Sequence, residues 1–517
     1  MKKQFSIELD GENLRPQELW MWAKAALNPA SSVKIHFSKT ARERISKSEK
    51  LVASILKDSR AVYGINTGFG KFAEVKISDK QLSQLQKNLI LSHACGVGEP
   101  FGRDIVMAMW LIRLNTLARG NSGIRMETIE KIVGLLEKGI LAVVPSRGSV
   151  GASGDLAPSA HATLTLIGEG QCSMPKGAGF VTISAAEALK AHKLTPANLE
   201  AKEGLALING TQTTTALALK AWCEGKNLLT TANLSAAFSI EALRGSHDIF
   251  DKRIAAARNQ PGAIFCAQEM AQWLDKETQI SKSHENCGRV QDPYSLRCAP
   301  QVHGAISDEL DRAEAVITRE INASTDNPLL FSETKSSLSG GNFHAIYTAR
   351  VSDSLASALT TLASISERRI ALMMSKDSSM LPPFLVPDGG LNSGFMMAQV
   401  TAAALVSECK TLSFPASVDS IPTSDDREDH VSMGVGAGLK LQQIVENLKN
   451  VLGIELMAAA QAIDMLRPLK SSKKIEAVHK KIRSKIAVLD KDRILADDFK
   501  KIAEIISSTE LIQATSS

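Results

Sequence analysis

The sequence predicts a mainly α protein: an extended bundle of long helices, with its chemistry on loops towards the N-terminal side. Three observations carry that expectation. Stretches 205–240, 306–322, 344–374, 393–412 and 436–466 are long, rich in alanine and leucine and poor in glycine and proline, which favours helices, several of them beyond ordinary length. Residues 61–75 and 141–160 are instead dense in glycine and read as two large loops. The segment AQVTAAALVSE (398–408) is apolar nearly all round, the pattern of a helix buried on every side.

Taken in chain order, residues 1–60 are mixed. Phe5-Ser6-Ile7 predicts a short strand, and 40–58 a charged amphipathic helix. After the first glycine loop, 78–120 predicts helices that stop at Gly120-Asn121-Ser122-Gly123. The second loop, VPSRGSVGASGDLAP (144–158), holds five glycines or prolines. The long helices follow it. No internal repeat or linker divides them, so a single unit over 1–517 is expected, with a loop-rich region over 1–200 and the bundle over 201–517. The basic stretch KSSKKIEAVHKKIRSK (470–485) has Ile475, Val478, Ile482 and Ile486 at helical spacing. It reads as the solvated face of an amphipathic helix rather than a nucleic-acid or membrane patch.

Composition narrows the class. The 517 residues are 44% hydrophobic and 22% charged, which is ordinary for a globular protein. The net charge of +5 is scattered. Seven cysteines (Cys95, Cys172, Cys223, Cys266, Cys287, Cys298 and Cys409) are dispersed, odd in number and free of CxxC spacing, so neither a disulfide framework nor a zinc site is expected. The N-terminus MKKQFSIELDGENL has no apolar core of a secretory signal. No stretch approaches the ~18 apolar residues of a membrane span. A cytoplasmic protein without membrane or nucleic-acid partners is expected.

Familiar cofactor motifs fail. Gly64-Ile65-Asn66-Thr67-Gly68-Phe69-Gly70-Lys71 has the wrong spacing for a phosphate loop, and Phe72 stands where a hydroxyl would bind magnesium. Gly96-Val97-Gly98 is a lone fragment. The ten histidines form no HExxH, and Ser153 lies in no GxSxG elbow. No metal and no external cofactor is therefore expected.

The loop GSVGASGDLAP (148–158) offers an electrophile made from peptide alone. Glycines at 148, 151 and 154 let backbone atoms approach closely. Attack of the Gly154 amide nitrogen on the Ala152 carbonyl carbon closes a five-membered ring. Loss of water from that adduct, and of a second water carrying the Ser153 hydroxyl and α-proton, leaves a conjugated methylidene. Alanine is small, serine supplies the leaving hydroxyl and glycine an unobstructed nitrogen. Asp155 stands next to them to polarise or deprotonate.

GSVGASGDLAPSAH (148–161) resembles the methylideneimidazolone loop of the aromatic amino-acid ammonia-lyases, above all their histidine-specific members. The likeness runs on through YGINTGFGKFA (63–73), NLILSHACGVGEP (88–100), KEGLALINGTQ (202–212), VQDPYSLRC (290–298), STDNPLL (324–330), SGGNFHA (339–345), GLNSGFMMAQVTAAALVSE (390–408) and PASVDSIPTS (415–424), in that family's order. It implies the family's fumarase- and aspartase-like helical core. It also implies non-oxidative deamination of histidine to trans-urocanate by a 4-methylidene-imidazol-5-one formed from Ala152, Ser153 and Gly154. A homotetramer whose sites draw on three chains follows from the same resemblance.

Each site residue then has an implied task. Tyr63, one of three tyrosines, is the base for the β-proton. A free phenol titrates at ~10, so Tyr63 is expected to need nearby positive potential, such as helix N-termini. Arg297 pairs with the substrate carboxylate. Asn209 and Tyr294 hydrogen-bond the ring carbonyl and the reacting amine. Gln291 and Phe343 shape the pocket, and His344 supports it from behind. His93 suits an imidazole or a phenol equally. Glu428 favours imidazole, since a carboxylate sits badly against an apolar ring. Several positions depart from histidine-specific members: Asp425-Asp426-Arg427 for Ala-Asn-Gln, Ile346-Tyr347 for Glu-Pro, Ala299 for Gln and Phe414 for His. Tyrosine or phenylalanine deamination, a 2,3-aminomutase on the same electrophile, and an inert helical scaffold are the alternatives.

Overall fold

A computed structural model describes residues 4–58, 61–275, 277–285 and 288–513; Cys287 lies outside them. Helices dominate, as expected, and they group into two compact units. The first holds residues 1–220, 314–353 and 415–439; the second holds 221–313, 354–414 and 440–517.

In the first unit the expected N-terminal strand is Gln4–Leu9, paired in parallel with Ser32–Phe37. Alternation buries Ile7, Leu9, Val33, Ile35 and Phe37 on one face. The charged helix is Lys39–Lys57, capped by the Ser38 hydroxyl on the Ala41 amide. Leu82–His93 and Arg103–Ala118 fill the next helical stretch. Three things differ from expectation. Val97–Pro100 is a strand, antiparallel to Pro145–Arg147 out of the second glycine loop. Gln171–Lys176 and Gly179–Ser184 form a hairpin, with Leu141–Ala142 on its edge. The 205–240 stretch is broken into Glu203–Ile208 and Gln212–Ala242.

That break has a cause. Gly210 has φ +153°, and a Cβ there would lie 2.6 Å from the Thr325 carbonyl oxygen and 2.7 Å from Arg113 Nη1. Only glycine fits. Arg113 itself is buried, donates to the Ala206 carbonyl and lies 3.5 Å from Asp326. Lys202, also buried, donates to the same carboxylate at 3.1 Å. Burial pulls the pKa values of both cations down, against the pull of Asp326. One carboxylate thus compensates two buried charges beneath the break. Asp326→Ala is expected to destabilise the fold by about 3–5 kcal/mol, read as a lower unfolding midpoint in denaturant.

The second unit contains the remaining parts of the long helices, Ala299–Ile321, Ile346–Met374 and Gly434–Met465, and all of Met396–Leu412. Its centre is polar. Arg369 and Glu455, both fully buried, form an ion pair. Ser239 and Ser366 donate to the Glu455 carboxylate at 2.7 and 2.6 Å. Burial together with Arg369 drives the His303 pKa well down, and the ring donates from Nδ1 to Asn233 Oδ1 at 2.7 Å. Arg369 also donates to the Ser295 carbonyl at 3.4 Å, which ties the short helix Tyr294–Arg297 to this network.

The Met396–Leu412 helix is not buried on every side. It buries Ala398, Ala402, Val406 and Cys409, one stripe at helical spacing, while Met397 is 62% and Val400 46% exposed. A helix apolar all round needs cover on each face, and its own chain covers one. The 470–485 stretch behaves as expected: Lys473–Arg483 buries Ile475, Val478 and Ile482 beneath a basic face.

Candidate active site

The tripeptide Ala152-Ser153-Gly154 is built into the first unit by backbone and helix-end contacts. Gly154 has φ +75°, and a Cβ on it would come within 2.2 Å of the Gly210 carbonyl oxygen. The two glycines form a parallel bridge, and the Asp155 amide donates to Gly210 O at 2.7 Å. Upstream, the Met433 amide donates to the Val150 carbonyl at 2.8 Å and Ser432 Oγ to the Gly151 carbonyl at 3.2 Å.

Asp155 closes the loop from the other side. Its side chain is 0% exposed. It accepts the Thr213 and Thr214 amides at 2.8 and 2.7 Å and the Thr214 hydroxyl at 2.8 Å. It therefore caps the start of the 212–242 helix, where the free N–H groups and the helix dipole favour an anion. Burial outweighs those bonds and pushes its pKa up to about 6 from an ordinary 3.8. The folded chain thus keeps this proton over a window where the unfolded chain loses it, so Asp155 makes stability fall as pH rises from about 4 to about 6. Asp155→Asn is expected to flatten that slope, measured as the unfolding midpoint against pH.

Three predicted site residues meet directly. Asn209 Nδ2 donates to the Ser153 carbonyl at 2.9 Å, and Ser153 Oγ donates to Glu428 Oε1 at 2.9 Å. Glu428 Oε2 accepts the Thr423 and Ser424 hydroxyls, both at 2.7 Å. Reciprocal backbone bonds between Thr423 and Glu428, 3.1 and 3.3 Å, close the turn that carries Asp425-Asp426-Arg427. Thr423, Ser424, Ser432 and the Thr213-Thr214 pair escaped the sequence reading. Their signal was present as hydroxyl residues at fixed offsets from Glu428 and after Asn209, but such residues are too common on loops to stand out.

Tyr63 and His93 lie within electrostatic reach of Glu428. Burial raises the Tyr63 pKa, and the Glu428 charge raises it further, while a hydrogen bond with the Gly70 backbone lowers it. The Glu428 charge thus works against a phenolate at Tyr63. Tyr63 packs edge-on to Phe69 and lines a cleft of about 440 Å³ with Val62, Pro328 and Lys335. Burial lowers the His93 pKa, with the Leu89 carbonyl and Glu428 opposing it. His93 Nδ1 is 3.0 Å from Ser92 Oγ.

Phe343 is half-buried in the first unit. The neighbouring His344 stacks on His430 with ring centroids 5.8 Å apart and donates to the His430 carbonyl at 3.2 Å. Gln291, Tyr294 and Arg297 belong to the second unit. Gln291 is exposed, Tyr294 is 70% exposed, and the Arg297 guanidinium stacks 4.7 Å from the Tyr294 ring centre. Of the unusual positions, Tyr347 and Phe414 are exposed. Among the described residues no group of histidine, cysteine and carboxylate side chains has the arrangement to hold a metal, and no helix is long and apolar enough to cross a membrane.

Comparison with known proteins agrees with this architecture. The sequence model of the family described as aromatic amino acid lyase matches residues 21–484. A histidine ammonia-lyase of Anaeromyxobacter dehalogenans is 47% identical over 515 residues, covering 98% of this chain and 99% of that protein. Another, of Pseudomonas fluorescens, is 47% identical over 485 residues, covering 93% and 94%. Among solved structures, histidine ammonia-lyase from Trypanosoma cruzi superposes with TM-score 0.90 at 38% identity, covering 99% of this chain and 95% of that one. Tyrosine aminomutase from Streptomyces globisporus superposes with TM-score 0.91 at 33% identity, covering 99% and 98%.

Proposed function

This chain belongs to the aromatic amino acid lyase family, and from that membership we propose that it deaminates L-histidine without oxidation, releasing trans-urocanate and ammonia. The observation that carries the choice of substrate is Glu428. Its carboxylate stands at Ser153 and within electrostatic reach of His93, a polar pair suited to an imidazole and unsuited to a phenyl ring.

A 4-methylidene-imidazol-5-one made from Ala152, Ser153 and Gly154 fits the residues around it. Asn209 already holds the Ser153 carbonyl, its own Oδ1 is a buried atom without a hydrogen-bond partner among the described residues, and the Gly154 position has no room for a side chain. When formed, the group supplies an electrophile for the substrate amine and makes it a better leaving group. The chain does the rest. Asn209 stabilises negative charge on the Ser153 carbonyl oxygen. Tyr63 takes the β-proton. His93 and Glu428 orient the imidazole, Arg297 holds the carboxylate and Tyr294 the amine, with Gln291 and Phe343 shaping the cavity.

Both units serve this one activity, in a cytoplasmic homotetramer whose sites combine residues of different copies. The exposure of Gln291 and Tyr294 and the uncovered apolar face of the Met396–Leu412 helix support that assembly. Mass photometry of the purified protein tests it, a monomer counting against it. The substrate assignment is tested by incubating the protein with histidine, tyrosine and phenylalanine and recording the absorbance of the conjugated acid formed. Tyrosine deamination or a 2,3-aminomutase is the second reading, supported by the tyrosine aminomutase likeness and by His93, which suits a phenol as well. Turnover of tyrosine in preference to histidine would establish it.

A further inference from the structure

The helix that follows the tripeptide, Leu156–Leu164, carries a side chain that reaches the segment behind His93. His161 Nε2 accepts the Gly96 amide at 3.0 Å. A backbone amide only donates, so Nε2 is the bare nitrogen of a neutral ring. Burial lowers the His161 pKa and favours that form. Gly96 has little slack. A Cβ on it would lie 3.1 Å from the Arg147 carbonyl oxygen and 3.3 Å from His161 Nε2, and one on Gly148 would lie 3.2 Å from Gly96 Cα. His93 ends its helix only three residues earlier. The chain between is tied back on itself: the Ala94 amide donates to the Ile90 carbonyl at 3.1 Å and the Cys95 amide to the His93 carbonyl at 2.9 Å. Gly96 is thus where the segment bearing His93 meets both flanks of the electrophile loop, Arg147-Gly148 before it and His161 after it.

We propose that His161 is a positioning residue that sets how far His93 stands from the electrophile, acting through Gly96. This rests on the function proposed above, in which His93 meets the substrate ring and the tripeptide meets its amine. A substrate held at both ends has a fixed length to span, and a shift of either holding point costs affinity and alignment. On the upstream flank, Val97–Pro100 pairs with Pro145–Arg147, but the register shifts between Val97 and Pro100. A broken ladder leaves part of a strand unpaired. The His161 bond supplies a fixed point at the edge of that ladder, from the same helix that the tripeptide leads into. The separation of ring and amine is thereby referred to one rigid element.

Two substitutions in the full-length chain remove the acceptor: His161→Phe, which keeps a ring, and the smaller His161→Leu. His161→Gln removes the ring and returns an acceptor oxygen close to the place of Nε2. In the phenylalanine and leucine variants, KM for histidine is expected to rise about 10-fold with a smaller change in kcat, the scale on which one hydrogen bond acts. His161→Gln should restore most of that loss. The peptide beginning after Arg147 should be two waters lighter in every variant, as in the parent, which separates the effect from formation of the electrophile. In a His93→Ala chain, adding His161→Phe or His161→Leu should raise KM no further, because the residue it positions is gone. Circular dichroism verifies that the variants fold. An unchanged KM in either folded variant without the acceptor overturns the proposal. So does an equal rise with and without His93, which would make His161 a support of the loop at large. So does a peptide that keeps a water in those variants alone. Failure of the parent chain itself to deaminate histidine removes the reading of function, and this proposal with it.

Discussion

Ser153→Ala should abolish turnover while leaving the fold in place. The substitution removes one oxygen, and with it the only leaving group from which a methylidene carbon can form. The surroundings tolerate the loss: Ser153 is partly exposed, and its backbone carbonyl still accepts Asn209. Glu428 loses one of three hydroxyl donors and keeps Thr423 and Ser424. The expected fall in kcat is about 10⁴-fold or more, the scale on which removing an enzyme's covalent group acts. Steady-state kinetics beside a thermal melt checks it. Near-full activity in a folded Ser153→Ala protein would exclude an electrophile built at this position.

Tyr63→Phe separates proton removal from the electrophile. The peptide containing residues 152–154 should lose two waters as in the parent, because Tyr63 makes no hydrogen bond to that tripeptide. Elimination should slow by about 10²–10⁴-fold in kcat with a smaller change in KM, the usual contribution of a positioned base. The environment of Tyr63 adds a pH signature. Burial and the Glu428 charge hold the phenolic proton on, and in the role proposed for Tyr63 the ionised phenol is the form that works. The parent rate should therefore climb as pH rises above neutrality, and the phenylalanine variant should lack that limb. An unchanged pH profile in Tyr63→Phe would assign the base elsewhere.

The helical stretches were legible in the sequence because length and composition report helices well. The Gly210 interruption was not, since its cause is the approach of Gly154 and Thr325 from distant segments. The strand Val97–Pro100 and the hairpin 171–184 escaped for a related reason. They are short and their partners are remote or glycine-flanked, so no local alternation announces them. For the site, the chemistry of the 148–158 loop pointed to Ser153 and resemblance supplied Asn209 and Glu428, and the structure joins the three by hydrogen bonds. The Glu428 charge within reach of Tyr63 was not anticipated, because a sequence does not reveal which charge will stand near a phenol. AQVTAAALVSE was legible as apolar, but not as a face its own chain leaves uncovered.

The grip on Ser153 has a consequence in time. Its partners are Asn209, 56 positions later, and Glu428, 275 positions later. A nascent chain carries the tripeptide well before either arrives, and a misfolded chain carries it without them. Chemistry that depends on both partners begins only once those distant segments have docked. A loop altered as proposed would then be a lasting covalent record that a given molecule once reached its native arrangement.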